Sequence, residues 1–483
     1  MIPKENTTLM NIWGASWYNR LTEWRAWYSG DQDILRKYYS TEAQDNTRFW
    51  SRLGTGNKKH GVHIPLAGDI AATSSNLLFA ETPEISYKEQ NETTAIDRVQ
   101  YFANENGLHN RLLEAAEICS AMGGVVLKLD IDTDLSPVPI LSTVSPLQFI
   151  PTFRRGRLWE ATTFRVVASD DNGKVWRLFE ERKRSGTGII IDYKLFEGQS
   201  SEIGRVVSLD SIDETASLNL KPLVYENVGL GIVYIPNMLP NRLDIHSPQG
   251  VSDYSGAVPM FDSLDEIWTS LMREIRLAKS TIFVDDELLK DGEVDIDTEA
   301  YVKLKITDLR IGKEGYKPIE HVQPEIRVES YLKAATEMTA DILSRCGYSP
   351  QSFGFRVEGR AETGTALRIR ERKSLMTRQK KSRYWQDALQ WLFWDMQRLE
   401  NSSSIVASYN PVETIIVLQD SITPEPSEEA QTIRDLRQAE VISIEMGVRR
   451  LNPDWTDEQV EQEVEQIAKE KGSMVTDIFN ERV

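Results

Sequence analysis

Cysteine is nearly absent from this 483-residue chain: Cys119 and Cys346 are the only two, far apart in sequence. Two isolated thiols exclude a disulfide framework and a cysteine-based zinc site, and they fit a reducing compartment. Long apolar runs are missing as well. No stretch approaches the ~20 residues that a membrane-spanning helix needs, and the opening MIPKENTTLM lacks a basic flank followed by an apolar core, so neither a span nor a signal peptide is expected. Positive charge is in deficit, with 56 Lys and Arg against 74 Asp and Glu and a formal net charge of -18. Such a surface repels nucleic acid and anionic membranes as a whole, so any DNA contact must be local or weak.

Catalytic signatures are also lacking. GTGNKKHG at 54–61 has glycines and lysines but no Gly-Lys-Ser/Thr, so the phosphate cradle and the Mg²⁺-holding hydroxyl of a nucleotide site are missing. His60 and His63 lie three apart with no Cys or further His nearby to complete a zinc set. The acidic run Asp291, Glu293, Asp295, Asp297 and Glu299 lacks the sixth-position Gly and twelfth-position Glu of a calcium loop. If its alternation makes it a strand, these carboxylates share one face, a solvated surface or a partner-docking edge. There is no Gly-x-Ser-x-Gly elbow. A non-enzymatic chain without metal or cofactor is the expectation.

What remains is an ordinary folded composition, 40% hydrophobic and 27% charged, long enough for more than one packed region. Trp13, Trp17, Leu21, Trp24 and Tyr28 recur at helical spacing and predict one amphipathic helix with an aromatic stripe. Residues 61–87 read as a packed helix closed by Pro83 before a strand. A second helix, Ala103 to Met122, ends at Gly123 and Gly124, and VVLKLDID follows as a strand. Short strands separated by Asp, Asn and Gly turns then run to Tyr234, which makes the first 250 residues α+β.

Phe261, Leu264, Trp268, Leu271, Ile275 and Ala278 mark a long helix, and Tyr331, Ala335, Met338 and Ile342 mark another that stops at Gly347. Between them lies a small, mostly acidic β-rich insertion, with Asp291-Gly292 as a hairpin signal. The polar loop SPQSFGFRVEGRAETG precedes a helix from about Ala366 to Leu399, roughly 50 Å long at 1.5 Å per residue. Its first half is basic: Arg368, Arg370, Arg372, Lys373, Arg378, Lys380, Lys381 and Arg383 against Glu371 alone. Duplex phosphates, which recur about every 1.7 Å along the axis, would suit it; subunit pairing or a solvated surface would suit it too. PVETIIVLQD predicts a strand returning to the sheet region. Residues 424–483, with fifteen acidic and seven basic side chains, read as an exposed helical end with Thr456 and Gln459 as a capping box.

HIPLAGDIAATSSNLLFAETP, SPQSFGF and AETGTALRIRERKSLMTRQKKSRYW, together with this order of parts, resemble the portal proteins of long-tailed bacteriophages, in particular those of actinobacterial phages. The resemblance implies an α+β portal-like subunit: an α/β wing over 1–256 to which 365–423 returns, stem helices at 257–279 and 327–347, a small β-rich clip at 280–326, a tunnel loop at 348–364, a long wing helix at 365–400 and a helical crown at 424–483. It implies a ring of the chain with itself, twelve copies in the virion, at one capsid vertex. Double-stranded DNA would pass through without sequence preference. The large terminase subunit, the head-to-tail adaptor and the major capsid protein would be the protein partners, with no membrane involved and with assembly in the host cytoplasm. Gln351, Ser352, Phe353, Arg356, Glu358 and Arg360 would form the channel-facing loop. Arg368, Arg372, Lys380 and Lys381 would meet DNA or a neighbouring subunit, and Asp291, Glu293, Asp295, Lys303 and Lys305 would dock partners at the clip. A DNA-binding or scaffolding head protein without a channel, and a metal-dependent nuclease, are the competing readings.

Overall fold

The computed structural model describes residues 2–53, 61–186, 188–218, 220–278, 281–285, 301–304, 319–322, 326–355, 364–403, 405–419, 426–439, 441–452, 455 and 459–469. The chain opens with α1 (Leu9–Trp13), α2 (Ala15–Tyr28), α3 (Gln32–Lys37), α4 (Phe49–Arg52) and α5 (Leu66–Phe79), followed by β1 (Glu84–Tyr87), α6 (Thr93–Glu105) and α7 (Leu108–Met122). Two predicted helices are therefore each split in two. Gly14, at φ 82°, separates α1 from α2, and Gly107, at φ 54°, separates α6 from α7. Both sit in backbone conformations that continue no right-handed helix.

Next come β2 (Gly124–Asp130), β3 (Ile140–Val144), β4 (Phe149–Arg154), β5 (Arg157–Ser169), β6 (Lys174–Ser185), β7 (Gly188–Gln199), β8 (Arg205–Val207), α8 (Asp213–Ala216), β9 (Leu223–Tyr225) and β10 (Ile232–Pro236). β4 to β8 form a sheet in sequence order, with β9 added beside β7; β10, β2 and β3 form a second, antiparallel sheet. The turn from β4 to β5 is Arg155-Gly156, both at positive φ, which is the backbone a tight two-residue hairpin requires.

α9 (Val258–Leu277) is followed by β11 (Thr281–Asp285), β12 (Tyr301–Leu304) and β13 (Ile319–Val322), then α10 (Val328–Cys346), α11 (Gly364–Ser403), β14 (Thr414–Val417), α12 (Pro426–Gln438) and α13 (Ile444–Leu451). The insertion is β-rich as expected, but β11 and β12 pair in parallel, while β11 and β13 pair antiparallel. Parallel neighbours cannot be the two arms of a tight hairpin, so a turn at Asp291-Gly292 does not join β11 to β12; that dipeptide lies outside the described residues. β14 returns to pair antiparallel with β1.

The chain divides into two compact units, 1–355 with 373–419, and 356–372 with 420–483. The first unit has two main cores. One joins Phe102, Leu112, Val126, Leu127 and Ile235 to Trp385, Leu389, Phe393 and Met396 of α11. The other gathers Trp24, Trp27, Trp50, Phe261, Leu264 and Ile342 from α2, α4, α9 and α10. Leu21 and Trp24 of the N-terminal stripe are thus core, Trp13, Trp17 and Tyr28 are partly buried against it, and Trp27, outside the predicted stripe, is buried too. In the second unit α12 and α13 meet, and Arg437 Nη1 donates to the Ile442 carbonyl at 3.1 Å between them. Thr456 lies outside the described residues, so the proposed capping box is not seen. Among the described residues no helix is long and apolar enough to cross a membrane.

Candidate functional site

The junction between the end of α10, the turn after it and α11 holds the densest set of polar contacts around the predicted loop. α10 ends in a Schellman arrangement: Gly347, at φ 92°, donates to the Ser344 carbonyl at 3.2 Å, and Tyr348 donates to the Leu343 carbonyl at 3.0 Å. Thr377 Oγ1 of α11 donates to the Gly347 carbonyl at 2.6 Å, which fixes this helix end against α11. A Cβ on Gly347 would come within 2.9 Å of that same hydroxyl.

Beyond Gly347 the chain turns inward. Ser349 N–H donates to Ser374 Oγ at 2.8 Å, and the hydroxyls of Ser352 and Ser374 lie 2.9 Å apart. Pro350–Phe353 is a 3₁₀ turn, and the Phe353 ring stands edge-on to Tyr348 with centroids 6.1 Å apart, partly buried against the second core. Gln351, Ser352 and Phe353 therefore form a packed footing rather than the tip of a projecting loop. Arg356, Glu358 and Arg360 lie outside the described residues.

Beneath this footing is a buried ionic network. Asp253 Oδ2 accepts from Ser120 Oγ at 2.5 Å, Tyr348 OH at 2.7 Å and Lys381 Nζ at 2.5 Å, and Oδ1 accepts from Asn237 Nδ2 at 2.8 Å. Lys381 also donates to Ser74 Oγ at 2.6 Å and Tyr348 OH at 3.0 Å. Lys381 is 2% exposed, so the sequence expectation that it meets DNA or a neighbouring subunit is corrected: its ammonium is spent inside the subunit. A buried carboxylate needs a cation and several donors to offset lost hydration; Lys381 of α11 supplies the cation, and Ser120 of α7, Tyr348 and Asn237 supply the other donors. Burial also pushes the Tyr348 hydroxyl well above its ordinary range and raises both the Cys119 and Cys346 thiols. Neither cysteine is a thiolate nucleophile at neutral pH.

Arg378 is likewise directed inward, donating from Nε to the Leu77 carbonyl at 2.6 Å and from Nη2 to the Leu418 and Gln419 carbonyls. Arg372, Lys380 and Arg383 are exposed. Arg368 lies on the helix backbone. Of the insertion residues, Lys303 is on β12, whereas Asp291, Glu293, Asp295 and Lys305 lie outside the described residues.

A second network ties α9 to the N-terminal region. Asp265 Oδ2 accepts from Trp50 Nε1 at 3.0 Å and lies 2.7 Å from His63 Nδ1, while Oδ1 accepts from Ile64 N–H at 2.9 Å. Asp262 Oδ2 accepts from Phe49 N–H at 2.8 Å. Burial raises both carboxyls. His63 is thus a structural partner of Asp265, and among the described residues no group of three or more His, Cys, Asp or Glu could hold a metal.

The family described as phage portal protein, SPP1 Gp6-like, matches this chain over residues 15–475. The chain belongs to that family. Portal proteins are structural rather than enzymatic, and the match takes in the junction, both networks and the insertion of this portal protein. No curated protein matches it. Among solved structures it is similar to a chain in the neck of a native gene transfer agent particle with C12 symmetry, at 14% identity and TM-score 0.38. It is also similar to a chain in the virion of the native gene transfer agent, at 12% and 0.39, and to one in the neck of the empty particle with C6 symmetry, at 12% and 0.40. Each alignment covers 80% of this chain and 90% of the other.

Asp253, Ser120, Asn237, Ser74 and Tyr348 were not singled out by the sequence. The available signal was polar residues where apolar ones were due, Ser74 inside a small-apolar helix and Asp253 in SDYSG. No local pattern links positions so far apart in sequence.

Proposed function

We propose that this portal protein forms a closed ring of twelve copies at one vertex of the phage head, with a channel for DNA packaging and ejection. Membership of the portal family over 15–475 carries the reading. Residues 1–256 with the returning 365–423 serve as wing, α9 and α10 as stem, and 280–326 as clip. Residues 348–364 form the tunnel loop, 365–400 the long wing helix, and 424–483 the crown. The clip takes the large terminase subunit during packaging and the head-to-tail adaptor afterwards, and the wing meets the major capsid protein. Assembly takes place in the host cytoplasm and the product resides in the virion. The packed turn Pro350–Phe353 gives the loop a fixed base, so Arg356, Glu358 and Arg360 are its DNA-facing residues. Arg356 and Arg360 touch phosphates without reading bases. The chain acts without cofactor or metal. Its net charge of -18, summed around a ring, keeps DNA from adhering.

Electron microscopy of the purified protein tests this, with wild type beside a variant lacking 356–361, which leaves the packed turn intact. Closed rings with a central channel are expected from both. Monomers or open, irregular aggregates under all conditions would overturn the ring and favour a scaffolding head protein.

A further inference from the structure

A cleft of about 600 Å³ opens between the N-terminal helices and the sheet of β4 to β8, within the first compact unit. Trp13, Tyr18, Phe164 and Val166 give it a largely aromatic and aliphatic lining, and two guanidiniums, those of Arg25 and Arg177, border it. Arg177 is 3% exposed. Its Nη1 donates to the Glu202 carbonyl at 3.0 Å and its Nη2 to the Gln199 and Ser200 carbonyls at 3.0 and 2.8 Å.

All three acceptors are neutral, and among the described residues no carboxylate pairs with Arg177. The other deeply buried arginine of this sheet, Arg182, is treated differently: Glu180 and Asp130 meet its guanidinium at 2.6 and 2.7 Å. Capping three carbonyls accounts for donors, which a neutral side chain also has. It does not account for a full charge removed from water without an anion, the arrangement that folded chains avoid. Arg25, exposed, places a second positive charge on the same cleft. Glu42 acts on Tyr18 with the opposite sign to both guanidiniums. Glu42 is itself exposed, so it does not supply the missing buried counter-charge.

We propose that this cleft binds a carboxylate carried on an apolar or aromatic body, supplied by a peptide segment of another protein chain. The carboxylate sits at Arg177 and Arg25, and the apolar part lies against Trp13 and Phe164. The volume suits a few side chains. A single carboxylate is held at short range, whereas a polyanion such as DNA meets the repulsion of the whole acidic surface.

The test is calorimetric titration of the full-length protein with the acetylated tripeptide amide Phe-Glu-Phe, its Phe-Gln-Phe counterpart, and octanoate. The Glu peptide should bind at least about tenfold more tightly than the Gln peptide. Arg25→Gln, at an exposed position, and Val166→Asp, at a position 55% exposed, should each weaken the Glu peptide by about tenfold while thermal melts stay unchanged. Equal binding of the two peptides, no binding of either at about 1 mM, a scale of weak affinity, or indifference to both substitutions would overturn the site and leave Arg177 as a loop cap. Binding of octanoate without the Glu peptide would overturn the peptide as occupant.

Discussion

Lys380 and Lys381 are adjacent on one helix and carry the same charge, yet they face opposite environments. Lys380 is exposed, whereas Lys381 is buried among Asp253, Tyr348 and Ser74. The basic half of α11 is therefore two surfaces. Its inner face holds the end of α10 and the turn after it through Ser374, Thr377 and Lys381, and holds the Leu77, Leu418 and Gln419 carbonyls through Arg378. Its outer face, with Arg372, Lys380 and Arg383, meets solvent. The charge of a segment counts both faces together, and only burial separates the charges that hold the subunit together from those free to meet another molecule.

Substitution at the two lysines should break this comparison most sharply. Lys381→Ala leaves Asp253 buried without its cation, and removal of one partner from a buried ion pair costs about 3–5 kcal/mol. Lys380→Ala should stay within about 0.5 kcal/mol. Chemical denaturation midpoints of the two variants, measured side by side, check the difference. Similar midpoints would mean that Lys381 is solvated and the network does not form.

Much of the scaffold was legible because its signals are periodic and local. The α9 and α10 stripes, the strands β5 to β7 and the strand β14 all follow from apolar spacing and turn residues. Helix breaks at Gly14 and Gly107 were not, because an isolated glycine inside an apolar pattern marks a break only when its φ is positive, and sequence does not report φ. The parallel pairing of β11 with β12 was hidden for another reason: a strand's pattern shows its faces, not its neighbour. The junction was the least legible part. Ser74, Ser120, Asn237, Asp253, Tyr348 and Lys381 converge from six places along the chain, and each is unremarkable alone. The basic run located charge in the sequence but not the direction each side chain takes.

A second ionic network sharpens the contrast between buried and exposed charge through pH. In the sheet, Glu180 accepts from Lys128 Nζ at 2.8 Å and Arg182 Nε at 2.6 Å. Burial opposes ionisation of Glu180, but Arg182 and Lys128 outweigh it and hold the carboxyl at about 2. A folded value below the ordinary 4.5 means that the contribution is fully present above that ordinary value and is lost as pH falls toward 2. Stability measured from pH 5 downward should decline through this window, which starts in the usual carboxylate range and extends below it. The decline should be shallower in Glu180→Gln, whose side chain does not titrate. Parallel curves for the two proteins would show that the acid sensitivity comes from other carboxylates.

The outer face of α11 should show the smallest effect on stability and the most informative effect on function. Lys380→Glu with Arg383→Glu reverses two exposed charges and should leave the denaturation midpoint within about 0.5 kcal/mol of wild type for each change. Two functional outcomes then separate the uses open to this face. If the side chains meet DNA, rings form normally and the dependence of duplex binding on salt becomes shallower, by roughly 0.9 in log–log slope for each phosphate that is no longer neutralised. If they meet the neighbouring subunit, ring assembly fails, or needs more protein, and the salt dependence for any rings that form is unchanged. Because Lys381 cannot reach either partner, Lys381→Ala should move neither the salt slope nor the assembly concentration in whatever fraction remains folded. The outer pair and the inner lysine thus separate folding from recognition on a single turn of one helix.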